Sequence, residues 1–104
     1  SSNGDGSDHG WGSHHLVVGG AVNGQAFYGT APPVSTTNTA APEDQWHVGQ
    51  GRLLPSTSVD QYAATLAKWF GVSETEMRGV LPNIGRFGAA AGRADYPVDL
   101  GFMR

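Results

Sequence analysis

A chain of 104 residues with a formal net charge of -3, 14% charged residues and no cysteine has room for one modest hydrophobic core and no second one. It contains no run of lysine or arginine, which excludes the electrostatic footprint of a DNA or RNA binder. Without thiols it has no disulfide, no thiolate nucleophile and no cysteine-ligated zinc, so histidines and carboxylates are the candidate metal ligands.

Sixteen glycines and six prolines between apolar clusters predict an ordered single domain over 1–104 with a large loop content. No apolar run approaches the roughly 18 residues of a membrane span. The opening "SSNGDGSDHG" carries neither the basic nor the apolar region of a secretory signal, so the chain reads as soluble, with no membrane partner.

Residues 1–13 are Gly, Ser, Asn, Asp and His almost throughout and read as a loop or arm. Residues 14–29 predict a β-hairpin. Leu16, Val17, Val18, Ala21 and Val22 form the first strand, Asn23-Gly24 the turn, and Ala26, Phe27 and Tyr28 the return, with Gly19-Gly20 as a bulge. Residues 30–51, "TAPPVSTTNTAAPEDQWHVGQG", show no sustained period and form a long loop of the kind that carries function or stays disordered.

The segment 58–82 predicts a pair of short amphipathic helices. Val59, Tyr62, Ala63, Leu66, Trp69 and Phe70 recur at spacings of three and four and form one apolar face, with Trp69 and Phe70 assigned to the core. Ser58 with Gln61 makes a capping box, and Gly71 suits a left-handed helix end. Ser73 with Glu76 makes a second box, Val72 is placed to staple onto Met77, and Pro82 stops the helix. Residues 83–104 form a tail whose Tyr96 and Phe102 are available for packing.

The chemistry-bearing stretch is "SDHGWGSHH", residues 7–15. Asp8, His9, His14 and His15 are the residue types that hold a divalent ion at about 2.0 to 2.2 Å. Gly10 and Gly12 let the segment turn back on itself. In a strand His14 and His15 point to opposite faces, so one of the two shares the ion with Asp8 and His9. The competing reading is a solvated histidine-rich arm. His47 is a further candidate, as a fourth ligand or a general acid/base, against the plainer reading of a surface histidine. Asp5, Glu43 and Asp44 read as solvated carboxylates, and Ser56, Thr57 and Ser58 as caps. There is neither a nucleophile elbow nor a phosphate-cradling glycine loop.

Together, "SDHGWGSHHLVVGGAVNGQAFYG" and "GRLLPSTSVDQYAATLAKWFGVSETEMRGVLPNIGRF" resemble the C-terminal end of the bacterial family called domain of unknown function 1501, across about residues 4–87. That family is similar to the sulfatase and alkaline phosphatase superfamily. The resemblance implies an α/β fold, a C-terminal fragment of a three-layer sandwich. It implies that Asp8 and His9 form the Asp-His pair at a strand end that holds one of two metal ions, with His14 or His15 serving the other. The implied cofactor is a divalent metal, zinc first, with copper, manganese or iron as alternatives.

The implied chemistry is metal-assisted hydrolysis of a small phosphate or sulfate ester, in which the ions polarise the ester and neutralise transition-state charge, with His47 moving a proton. The resemblance also suggests export to the periplasm. The superfamily's nucleophile and first metal-binding aspartate are not matched, so the chain reads as a fragment that a homo-oligomer would complete. Two other classes stay open: a non-catalytic structural or assembly fragment, and a copper- or iron-binding oxidoreductase.

Overall fold

Residues Val59–Phe70 form helix α1 and residues Glu74–Val80 form helix α2. They appear in a computed structural model that describes residues 4–6, 9, 10 and 12–104. Contacts divide the chain into two compact units, one of Ser1–Leu16 with Thr30–Ser56, the other of Val17–Gly29 with Thr57–Arg104. No helix among the described residues is long and apolar enough to cross a membrane.

Both helices start and stop on local chemistry. Ser58 Oγ accepts from the N–H groups of Asp60 (3.1 Å) and Gln61 (3.3 Å), and Gln61 Oε1 accepts from Ser58 N–H at 2.9 Å, which completes the capping box. Gly71 closes α1 at φ 106, and the following Val72 N–H reaches back to Ala67 O at 2.9 Å. Only half of the second box forms. Ser73 Oγ accepts from Glu76 N–H, but it donates to Glu76 Oε2 at 2.9 Å, so the carboxylate binds the serine hydroxyl instead of the cap N–H. Leu81, restricted by the proline after it, ends α2 at φ -125 and ψ 86.

The core of the second unit is small. Ala64 of α1, Met77 of α2 and Ile84 of the 3₁₀ turn Ile84–Arg86 are buried together, with Ala67, Val72, Leu81 and Phe87 packed around them. Phe102 is buried separately between Tyr28, edge-on at 5.9 Å, and Tyr62 at 5.6 Å.

The predicted three-layer α/β sandwich is not present. Among the described residues β pairing is confined to three isolated bridges, Val22 with Met103, His47 with Leu53 and Gly88 with Arg93. The hairpin over 14–29 is absent, as the backbone at its expected turn shows. A tight two-residue turn of that type needs positive φ at both central positions, whereas the positive φ here falls on Gln25 (59°) and on neither Asn23 nor Gly24. Residues 21–23 pair with 102–104 instead. Asn23 N–H donates to Phe102 O at 2.9 Å and Arg104 N–H to Ala21 O at 2.7 Å. The Asn23 amide adds a bond to Gly101 O and accepts one from Arg104 Nε.

The buried face of α1 is also not the predicted one. Gln61, Ala64 and Thr65 face inward, while Val59, Trp69 and Phe70 of the apolar stripe are exposed. The inward polar groups are partnered by the backbone of α1 and its cap on one side and of residues 97–100 on the other. Gln61 Nε2 donates to Pro97 O at 2.9 Å. Thr65 Oγ1 donates to Gln61 O at 2.8 Å and accepts from Leu100 N–H at 2.9 Å. A satisfied carboxamide and hydroxyl carry little burial penalty. Beside them Lys68 Nζ meets Asp99 Oδ2 at 2.8 Å, an exposed pair that raises the lysine and lowers the carboxyl from their ordinary values and contributes little to stability.

Replacing Gln61 with Ala strands Ser58 N–H and Pro97 O and is expected to cost about 2 to 3 kcal/mol in urea unfolding. Thr65→Val, which keeps the shape and strands Leu100 N–H, is expected to cost about 1 to 2 kcal/mol. A loss below the error of the measurement in both variants would contradict the role assigned to this polar seam.

Candidate functional site

The structure describes three of the four predicted ligand residues. Asp8 lies outside the described residues. His9, His14 and His15 are exposed along the first unit's histidine-bearing segment, and no group of three or more His, Asp or Glu side chains that could hold a metal ion occurs among the described residues.

The densest polar constellation of the first unit is built by the loop 35–51. Ser35, Thr37 and Thr39 alternate along an extended stretch, so their hydroxyls lie on one side of it. They converge on Asp44, which the 3₁₀ turn Pro42–Trp46 carries back toward them. Thr37 Oγ1 donates to both carboxylate oxygens at 2.8 and 2.9 Å, Thr39 N–H donates at 2.8 Å, and the hydroxyls of Ser35 and Thr39 donate as well. Asp44 is 3% exposed. The hydroxyl bonds, Ser35's foremost, followed by those of Thr39 and Thr37, hold its carboxyl far below the usual range against the opposing effect of burial.

His47 is buried in the same loop. Its Nδ1 lies 2.9 Å from Thr37 O, and its Nε2 accepts from Gly51 N–H at 2.8 Å. A carbonyl oxygen only accepts, so Nδ1 carries the proton and Nε2 is bare. With both nitrogens engaged, the ring presents neither a lone pair nor an N–H to a substrate in this conformation. Thr37 links the two groups, its hydroxyl on Asp44 and its carbonyl on His47. The arrangement fixes a loop that has little regular structure to fix it otherwise.

Asp44 is the residue that a composition-based reading passes over as a solvated carboxylate. The signal was the alternating Ser35, Thr37 and Thr39, five to nine residues before the acid. In the second unit the notable surface is a shallow apolar depression of about 410 Å³ lined by Leu66, Ala67, Trp69, Phe70 and Val72 at the C-terminal end of α1. Comparison of the chain with protein-family models, curated proteins and solved structures gave no match.

Asp44 sets an acid limit on the loop. Because its carboxyl is depressed in the folded state, the stabilisation it supplies is complete above the unfolded value of about 3.9 and declines as pH falls below that value. Amide exchange at Thr39 is expected to stay slow at neutral pH and to accelerate below about pH 4. In Asp44→Asn, protection is expected to be lower at neutral pH and to lose that acid dependence. Equal protection in the two proteins at neutral pH would contradict the assignment.

Proposed function

We propose that the chain is an assembly segment of a metal-dependent hydrolase-like protein. It docks the apolar surface of its second unit onto the rest of such a body, and it contributes ligands from Asp8, His9 and one or both of His14 and His15 to an ion completed by that body. The observation that carries the docking reading is the reversed distribution of apolar side chains. In the second unit Val18 (93%), Phe27 (103%), Val59 (75%) and Phe70 (84%) are exposed, while the buried hydrophobic residues are Ala64, Met77, Ile84 and Phe102. Scattered surface leucines or valines are ordinary, but aromatic and β-branched side chains left almost wholly outside while Gln61 and Thr65 go inside support a surface that another surface covers. Each such side chain gains about 1.5 to 3 kcal/mol when fully buried.

The body is taken to be hydrolase-like because of the resemblance over residues 4–87. The ligand part of the proposal is supported by the accessibility of His9, His14 and His15 and by the residue types of the four candidates. In this reading the chain alone is not a catalyst.

Docking is tested on the purified chain by sedimentation and by binding of an apolar fluorescent dye. The wild type is expected to bind dye and self-associate as concentration rises. Trp69→Asp with Phe70→Asp, which changes one half-exposed and one mostly exposed side chain, is expected to reduce both while leaving helical circular dichroism intact. A monomeric wild type that binds no dye would remove the docking reading.

The ligand reading is tested by zinc dialysis of tag-free protein. Binding is expected, and it should be lost in the variant His9→Ala, His14→Ala, His15→Ala. No zinc above background on the wild type would remove the ligand part. Phosphate and sulfate ester probes are expected to stay intact in both proteins, and turnover abolished by chelation would replace the assembly reading with a catalytic one.

A further inference from the structure

The turn that follows His47 holds an unusual backbone, and the histidine itself closes it. Gly49, Gln50 and Gly51 take φ values of 101, 55 and 75, three successive residues in the left-handed region, with a non-glycine in the middle. The flanks are tied by ordinary bonds, Val48 N–H to Arg52 O at 2.9 Å and Leu54 N–H to Trp46 O at 2.7 Å. Inside the turn, the Gly51 N–H is turned inward and meets His47 Nε2 at 2.8 Å, while Nδ1–H is anchored on Thr37 O. The ring thus bridges the turn to the segment 35–39, and it does so in one tautomer and one charge state.

We infer that His47 is an acid-sensitive latch: the neutral ring holds the turn 49–51 closed, and a proton on Nε2 releases it. The geometry requires this because a protonated Nε2 is a donor, and it would face the Gly51 N–H, also a donor, at hydrogen-bond distance. Either the turn opens or the ring leaves Thr37.

The charged groups of the surrounding elements do not substitute for the lost bond. Arg52, on the turn, donates from Nε to Gly49 O at 3.0 Å and from Nη2 to Val48 O at 3.2 Å, which keeps a positive charge beside the same peptide groups. Asp44, on the turn Pro42–Trp46, is the anion that would favour an imidazolium, but its oxygens are taken by Ser35, Thr37 and Thr39. Glu43 of the same turn is exposed, and residues 35–39 bring no charge. The device lies wholly within the first unit and does not depend on the docking or ligand readings.

The test is nuclear magnetic resonance of the full chain between pH 8 and pH 5, following the His47 ring nitrogens and the exchange of the Gly51 amide, corrected for its intrinsic pH dependence. At pH 8 the ring is expected as the Nδ1–H tautomer with Gly51 protected. As pH falls from 8 to 5, Gly51 protection is expected to drop at least tenfold. Thr39 N–H, held by the Asp44 carboxylate, is expected to remain protected over the same range and serves as the internal reference. Unchanged Gly51 protection from pH 8 to pH 5, or a doubly protonated ring with Gly51 still protected, overturns the proposal.

His47→Gln supplies a second measurement, since a carboxamide accepts from Gly51 without titrating. Its Gly51 protection is expected to be flat with pH, and a wild-type-like loss in this variant overturns the proposal. If the variant does not fold, the wild-type titration decides alone.

Discussion

The carboxamide of Gln61 sits at the junction on which the second unit depends. One of its ends completes the cap of α1 and the other holds Pro97 O. Thr65, one turn along, holds Leu100 N–H and so fixes the same segment at a second point. With residues 97–100 pinned across the inner face of α1, Phe102 is delivered between Tyr28 and Tyr62, and residues 102–104 are in register to pair with 21–23. The apolar cluster of Ala64, Met77 and Ile84 packs alongside this seam without replacing it. Hydrogen bonds of this kind add modest net stability when made and are expensive when broken, so their main effect is to select one arrangement of the segment over others.

The first unit uses the same principle with different groups. A loop rich in threonine and proline has no helix or sheet to satisfy its polar atoms, and it gathers them on a carboxylate and an imidazole. Thr37 joins the two by serving each with a different atom. Asp44 and His47 are therefore best understood through the backbone they organise. The exposed histidines at 9, 14 and 15 belong to the same unit.

The helices were legible in the sequence because their ends are written in neighbouring residues: Ser58 with Gln61, Gly71, Ser73 and Pro82. What escaped was set by distant partners. Asn23-Gly24 is a strong hairpin signal, yet Asn23 binds residues near 101–104, about eighty positions away, and no local pattern records that. The spacing of Val59, Tyr62, Leu66, Trp69 and Phe70 correctly marked a helix but not which of its faces is buried. That choice followed from Gln61 and Thr65 finding backbone partners in a segment with no period of its own. Asp44 was passed over for a related reason: a lone acid in a polar loop looks solvated until the alternating hydroxyls before it are seen to converge.

The pairing of residues 21–23 with 102–104 also bears on how the second unit is made. During synthesis α1 can form as soon as its own residues are available, because its cap is local. Its inner face, with a carboxamide and a hydroxyl awaiting partners, stays open until residues 97–104 have left the ribosome, and Ala21 and Asn23 wait for the same residues. Contacts spanning so much sequence close late and slowly. Until residues 97–104 arrive, α1 lacks its partners Pro97 O and Leu100 N–H, so both helices are complete in sequence before the segment that fixes them.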